Sequence, residues 1–182
     1  MMAEKVWIAA VMDKSDRADH WRSSADRLRE VILKRAWNEK RKSLVSTFDG
    51  NDLDATMLLV EPLGFLKADD PRFRMTVEAI GKELKHGDFI YRYVTADDFG
   101  YPETAFTICT FWYIDALVAI GRRDEARALF ELMLSRRNAH GLLSEDIVPK
   151  TGELWGNYPQ TYSLVGLINS AMKLSKSWEE AS

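Results

Sequence analysis

The amino-acid sequence predicts an all-α fold. Apolar residues recur at spacings of three and four along most of the chain, which is the period of an amphipathic helix. Runs containing glycine or proline separate these segments, and no segment has the sustained alternation that would favour a sheet. Hydrophobic residues make up 46% and charged residues 29% of the 182 residues, which is typical of a globular domain with its own core. We therefore expect about six or seven helices in a single domain, residues 1–182.

The predicted helices differ in their starts, their ends and their exposure. The segment from Thr104 to Ile120 is apolar on nearly all sides, which is typical of a buried helix, and Gly121 is expected to end it. Proline suits the first turn of a helix, so Pro71 is expected to open one with Asp69 or Asp70 as the N-cap. The predicted helical spans are 1–12, 18–37, 54–60, 71–85, 104–120, 124–137 and 160–177, while 89–94 alternates and is expected to be extended.

Charge and composition exclude several classes of function. The net charge of −3 comes from interspersed residues, whereas nucleic-acid binding favours a concentrated basic stripe. The most basic run, residues 34–42, also contains Glu39 and is typical of a solvated helix end. No apolar run approaches the roughly 20 residues that span a bilayer, and the N-terminus lacks the pattern of a signal peptide. We expect a cytoplasmic protein that binds neither nucleic acid nor a membrane.

Cysteine and histidine give no sign of a metal or cofactor site. The single Cys109 lies in an apolar run, so a buried and inert thiol is favoured over a nucleophile. His20, His86 and His140 are far apart and do not have the spacing of metal ligands. We therefore expect no metal and no cofactor.

The segment between the last two predicted helices is the best candidate for function. It reads GLLSEDIVPKTGELWGNYPQ and places Glu145 among several glycines and prolines, together with Trp155 and Tyr158. Loops of this kind, held between rigid elements, are often functional. The residues alone support a second interpretation equally well, in which the loop is structural and its aromatic side chains close the end of a helical core.

Three stretches of the sequence resemble a known family: FIYRY at 89–93, AFTICTFWYIDALVAIGRRDEARALFE at 105–131, and NAHGLLSEDIVPKTGELWGNYPQTYSLVGLINSA at 138–171. From about Trp21 onward the chain is similar to the C-terminal half of a glycoside hydrolase family 15 protein. This family comprises glucoamylases, glucodextranases and bacterial trehalases. The resemblance implies an (α/α)6 barrel, or six-hairpin toroid, of which this chain would form about half. It also implies inverting hydrolysis of α-glucosidic bonds in trehalose or in dextran-type or starch-type glucosides.

The resemblance also assigns roles to individual residues. Inverting hydrolysis needs one carboxyl group to protonate the leaving oxygen and another to deprotonate the attacking water. Glu145 matches the general base of the family, and Arg92 matches an arginine that contacts the sugar. Trp155 could stack on a sugar ring, whereas Trp112 is expected in the core. Two further carboxylates receive other predictions: Asp146 is expected to point away from Glu145, and for Glu103 capping of the following helix is favoured over contact with the substrate.

The general acid of the family lies upstream of the stretches matched here. We therefore expect the chain to be a fragment that is inactive by itself, with exposed apolar faces that the N-terminal half or a second copy would cover. Whether this chain alone is an enzyme stays open at the level of the sequence. The alternative is a non-catalytic helical module that binds a protein or a sugar through an apolar groove.

Overall fold

The computed structural model describes residues 8, 11, 12, 14–98 and 100–175. This part of the chain is mostly helical, as predicted, and every helix in it overlaps a predicted span. The predicted helix at 1–12 lies almost entirely outside the described residues. The helices are α1 (Ser15–Arg35), a 3-10 helix (Ala55–Val60), α2 (Pro71–Glu83), α3 (Thr107–Ala119), α4 (Arg123–Ser135) and α5 (Thr161–Leu174).

The helix starts follow the predicted chemistry at α2 but not at α3. The Asp70 carboxylate accepts a hydrogen bond from the backbone N–H of Arg72 at 2.9 Å, with Pro71 in the first turn. Helix α3 begins at Thr107, three residues later than predicted, and its N-cap Phe106 makes no side-chain hydrogen bond. The prediction that Glu103 caps this helix is therefore wrong. A short strand lies between Glu103 and the helix and moves the helix start away from it.

Helix α3 forms the centre of the core. It packs against α4, α5 and the 3-10 helix, and nine of its thirteen residues are buried, which explains its almost uniformly apolar sequence. Gly166 of α5 makes this close contact possible, because a Cβ atom there would lie 2.5 Å from Cδ1 of Ile108. Cys109 is fully buried, and burial raises the pKa of its thiol far above the usual range. The predicted buried thiol is confirmed.

The described residues also form three small antiparallel sheets, so the expectation of no sheet is wrong at this scale. Each strand has only two residues, which is too short to show alternation in the sequence. The sheets pair β1 (Trp37–Asn38) with β2 (Ser43–Leu44), β3 (Lys85–His86) with β4 (Phe89–Ile90), and β5 (Ala105–Phe106) with β6 (Asp146–Ile147), which in turn pairs with β7 (Leu154–Trp155). The third sheet joins the start of α3 to both arms of the loop that contains Glu145.

One face of α5 is exposed and apolar. Its members are separated by three or four residues, or small multiples of these, and so lie on one side of the helix. They are Tyr162, Val165, Ile168 and Met172. None of the helices in the described part of the chain is both long enough and apolar enough to cross a membrane.

Candidate active site

The backbone of Glu145 is held on both sides. Its N–H donates to the carbonyl of Asn157 at 2.9 Å, and its carbonyl accepts from the N–H of Thr107 at 2.8 Å. Thr107 opens α3, and Asn157 lies on the returning arm of the same loop. The residue is therefore attached both to the central helix and to the far side of its own loop, although it lies outside regular secondary structure.

The carboxylate of Glu145 is held by a single residue. Its Oε2 atom accepts from the backbone N–H of Asn157 at 3.1 Å and from the side-chain Nδ2 of Asn157 at 2.8 Å. The other oxygen, Oε1, accepts no hydrogen bond from the described residues. Gly156 permits this geometry, because its φ of +78° suits glycine and a Cβ there would lie 3.1 Å from Oε2. One carboxylate oxygen is thus fixed while the other is available.

Glu145 and Arg92 line the same small cleft, although they are far apart in the sequence. The cleft has a volume of about 220 Å³. Its walls combine the arginine, two carboxylates, two aromatic rings, a hydroxyl and a proline: Arg92, Tyr93, Pro102, Thr104, Phe106, Glu145 and Asp146. The structure therefore brings together two of the three residues that the sequence proposed for the site.

Arg92 is oriented by Asp54, a residue that the sequence reasoning did not select. The Arg92 Nε atom lies 3.5 Å from Oδ2 of Asp54, whose other carboxylate oxygen accepts from the N–H and the hydroxyl of Thr56 at 2.8 and 2.7 Å. The backbone of the same region is also joined, since the N–H of Ala55 donates to the carbonyl of Arg92 at 2.8 Å. Asp54 is the first residue of the predicted helix at 54–60, where an aspartate commonly caps the helix, but nothing in the sequence signals its second partner.

The expectation that Asp146 points away from Glu145 is wrong. Both line the cleft, because Glu145 precedes β6 and the alternation of a strand does not apply to the pair. The Asp146 carboxylate accepts a hydrogen bond from the Thr104 hydroxyl at 2.9 Å. Burial is the main cause that raises the pKa of Asp146, and the negative charge of Glu145 raises it further, against the opposing effect of Thr104.

Trp155 does not line this cleft. Its side chain is 58% exposed and faces a second cavity of about 910 Å³, whose lining also includes His86, Tyr91 and Glu103. Thr104 lines both cavities, so they are neighbours. Trp112, in contrast, packs against the core as predicted.

The cleft holds its two carboxylates on adjacent residues of one wall. A general acid and a general base of an inverting enzyme must instead lie on opposite sides of the scissile bond, about 6.5–9.5 Å apart. Among the described residues, those that line the cleft can hold a base and a sugar hydroxyl, but they do not provide an opposing acid.

Comparison with known proteins agrees with this helical fold. The family model for glycosyl hydrolases family 15 matches residues 2–172. The chain belongs to this family, which confirms the resemblance drawn from the sequence and extends it towards the N-terminus. Its relatives include a trehalase of Mycolicibacterium smegmatis, 37% identical over 177 residues, which cover 96% of this chain and 26% of the relative. A trehalase of Thermoplasma volcanium is 34% identical over 157 residues, covering 86% of this chain and 25% of the relative.

The chain thus spans about a quarter of the length of these curated relatives. Solved structures share its fold at lower identity. A wild-type glycosidase superimposes with a TM-score of 0.77 at 20% identity, over 93% of this chain and 48% of the glycosidase. A bacterial glucoamylase in complex with acarbose also gives 0.77, at 17% identity, over 95% of this chain and 32% of the glucoamylase.

Proposed function

We propose that this chain carries the general base of an inverting α-glucoside hydrolase and that Glu145 is this base. The proposal rests on the two hydrogen bonds that Asn157 donates to Oε2 of Glu145. They leave Oε1 available in a cleft shared with Arg92. A general base must meet its water in a fixed direction, and a carboxylate held through one oxygen has that direction set. Membership of glycosyl hydrolases family 15 supports the reaction class.

In this proposal Arg92 contacts the sugar. Its Nε faces Asp54, so the remaining guanidinium N–H groups can donate to sugar hydroxyls. Phe106 supplies an apolar wall beside them, against which a pyranose face can pack. The substrate is an α-glucoside, and trehalose is the first to test because the relatives described above are trehalases.

We further propose that residues 1–182 form part of one catalytic domain, about half of an (α/α)6 barrel. Two observations support this: the 48% share of the glycosidase chain that superimposes, and the exposed apolar face of α5, whose burial would be favourable. The other half of the barrel would cover that face, or a second copy of the chain would. We expect the 182-residue polypeptide alone to be inactive or nearly so, since loss of a general acid lowers a rate by about 10²–10⁴.

The same α5 face supports a second candidate function, a non-catalytic helical module that binds a protein or a sugar. Such a module would be a stable, folded protein or oligomer without activity. The substitution Glu145→Gln would also leave its folding and its binding unchanged.

The test is glucose release from trehalose, maltose and isomaltose by two proteins. One is the 182-residue chain, and the other is a fusion of this chain to the upstream part of the M. smegmatis trehalase, here called the fusion protein. We expect activity only in the fusion protein, lowered by about 10²–10⁴ in its Glu145→Gln variant. Glu131→Gln changes an exposed carboxylate on α4, outside both cavities, and serves as the matched control.

Each other outcome contradicts a stated part of the proposal. Robust sugar release by the 182-residue chain alone would refute its dependence on the rest of the barrel. A folded but inactive fusion protein would favour the binding module. Equal activity of the Glu145→Gln and Glu131→Gln variants would show that Glu145 is not the general base.

A further inference from the structure

The peptide unit that precedes Glu145 is held at both of its ends. Its N–H belongs to Glu145 and donates to the carbonyl of Asn157 at 2.9 Å. Its carbonyl belongs to Ser144 and accepts a hydrogen bond from the Ser163 hydroxyl at 2.8 Å. Because a peptide unit is planar and rigid, hydrogen bonds at its opposite ends fix both its place and its tilt. One of these bonds comes from the returning arm of the loop, and the other comes from helix α5.

The peptide unit that follows Glu145 is attached to a different helix. Its carbonyl accepts from the N–H of Thr107, at the start of α3, at 2.8 Å. The two peptide planes share the Cα atom of Glu145, so holding both planes restricts φ and ψ of this residue. These two angles set the direction in which the side chain leaves the backbone. Ser163 is therefore one of three groups, on three elements, that determine this direction.

The Ser163 hydroxyl is buried together with its acceptor. The exposed fraction is 0% for Ser163 and 1% for Ser144, so bulk water does not reach this hydrogen bond. A buried carbonyl that loses its donor is unfavourable. The peptide unit can relieve this only by turning towards another donor, and that turn would move Glu145.

Serine side chains within helices often bond to their own helix instead. Ser24 in α1 donates its hydroxyl to the carbonyl of His20, four residues earlier, which is a common arrangement. Ser163, in the first turn of α5, instead donates across a gap of 19 residues. The N–H of Gln160, the N-cap of α5, donates to the carbonyl of Leu143 at 3.0 Å. The start of α5 is thus attached to two consecutive carbonyl groups of the loop.

We propose that Ser163 is a positioning residue for Glu145. It holds the peptide plane next to this residue and thereby sets the direction in which the carboxylate meets its water. Ser163 lines neither the cleft nor the second cavity, so it acts through Glu145 and not on the substrate. The catalytic part of this inference rests on the proposed function, whereas the hold on the peptide can be measured without any reaction.

Helix α5 offers a matched control at Ser170. This residue lies seven positions after Ser163, on the same side of the helix, and its exposed fraction is also 0%. Its hydroxyl donates to Oδ1 of Asp115 at 2.6 Å and lies 3.4 Å from the carbonyl of Phe111. Both partners belong to α3. Ser163→Ala and Ser170→Ala therefore remove the same buried atom from the same helix face, but only the first removes a contact to the loop.

The first measurement is amide hydrogen exchange, followed by NMR in the wild-type 182-residue chain and in the two variants. We expect the Glu145 N–H to be protected in the wild type, although it lies outside regular secondary structure. In Ser163→Ala its exchange should accelerate about tenfold more than that of Ile80, a fully buried residue of α2 that reports global unfolding. In Ser170→Ala the two amides should accelerate by similar factors.

The second measurement is the kinetics of trehalose hydrolysis by the fusion protein. Ser163→Ala should lower kcat by about tenfold to a hundredfold, because a base that is displaced meets its water in the wrong direction. KM should stay unchanged, since Arg92, the proposed sugar contact, lies outside this set of hydrogen bonds. Ser170→Ala should leave both kcat and KM unchanged. A purely structural role of Ser163 would not separate the two variants in this way.

Two results of hydrogen exchange overturn the inference. One is a wild-type Glu145 N–H that exchanges as fast as that of the exposed Lys150, a comparison that needs no variant. The other is an equal effect of Ser163→Ala and Ser170→Ala on the Glu145 N–H.

Failure of the proposed function looks different. An inactive fusion protein, combined with faster exchange of the Glu145 N–H in Ser163→Ala alone, refutes hydrolysis and leaves the hold on the peptide standing. An active fusion protein with equal kcat in the two variants refutes the positioning role alone.

Discussion

Helix α3 and the loop at 141–160 are neighbours held by different forces. Most of α3 is buried, and Phe111 and Ile114 are in contact with solvent over almost none of their surface. The loop instead has an exposed Trp155 and Tyr158, and it fixes Glu145 through hydrogen bonds to Thr107 and to Asn157.

This difference separates stability from site geometry. The free energy of apolar burial is roughly proportional to the buried area and changes little with small shifts of a side chain. It therefore stabilises the chain without fixing the direction of any one side chain. Hydrogen bonds contribute less to the free energy of unfolding but have strict geometry. Changes in α3 should therefore lower stability, and changes in the loop should lower activity at nearly constant stability.

The largest effect is expected in the core. Phe111→Ala removes a fully buried ring and should lower the free energy of unfolding by about 3–5 kcal/mol, measured by urea denaturation of the 182-residue chain. Tyr101→Ala, at an exposed site, should stay within about 0.5 kcal/mol of wild type. Similar losses in the two variants would show that α3 is not the centre of the core.

Gly156→Ala should affect both stability and activity. Its positive φ strains an alanine by about 1–2 kcal/mol, and the new Cβ would lie 3.1 Å from Oε2 of Glu145, so the carboxylate must move. Gly64→Ala has the same backbone strain, with φ +70° and no atom within 4 Å of the new Cβ. Both variants should lose similar stability, whereas sugar release by the fusion protein should fall only for Gly156→Ala. Equal activity in the two would contradict the proposed position of Glu145.

Asn157→Ala tests the loop alone. It removes the side-chain donor to Oε2 of Glu145 and keeps the backbone donor. We expect sugar release by the fusion protein to fall about tenfold, the scale of one hydrogen bond to a charged group, with stability changed by about 1 kcal/mol or less. If the free energy of unfolding falls by several kcal/mol instead, the loop also stabilises the fold. That result would contradict the contrast between the loop and α3.

The smallest effect concerns pH. The pKa of Asp146 is raised mainly by burial, so the folded state favours the protonated form. Its contribution to stability is present below the ordinary pKa of an aspartate and is lost as the pH rises through the raised value. Asp146→Asn should therefore stabilise the 182-residue chain more at pH 7 than at pH 3.5, by less than about 1 kcal/mol at this half-buried site. Urea denaturation of the wild-type and variant chains at pH 7 and pH 3.5 measures this difference. A larger stabilisation at pH 3.5 than at pH 7 would contradict the prediction.

The sequence predicted most of the helical fold because helices leave a local, periodic pattern. The burial of α3 followed from its apolar composition, and the Asp70 cap followed from the proline beside it. The two-residue strands left no such pattern, and β5 delayed the start of α3 by three residues.

The sequence predicted the candidate site less completely. Glu145 and Arg92 were selected through a family resemblance, and the structure places both on one cleft. The partners that orient them, Asn157 and Asp54, act across gaps in the chain that no local pattern reveals. Trp155 is close to Glu145 in sequence, yet the β6–β7 hairpin places its ring in the neighbouring cavity.

The pairing of β6 with β7 divides the loop into a stem and a turn. Glu145 lies in the stem beside its hydrogen-bond partner Asn157, whereas the turn at 148–153 carries Lys150 and Glu153 and lies beyond the two strands. Residues inserted or exchanged in that turn would reshape the second cavity without moving the carboxylate. Evolution could therefore vary the shape of that cavity while Glu145, the proposed base, stays in place.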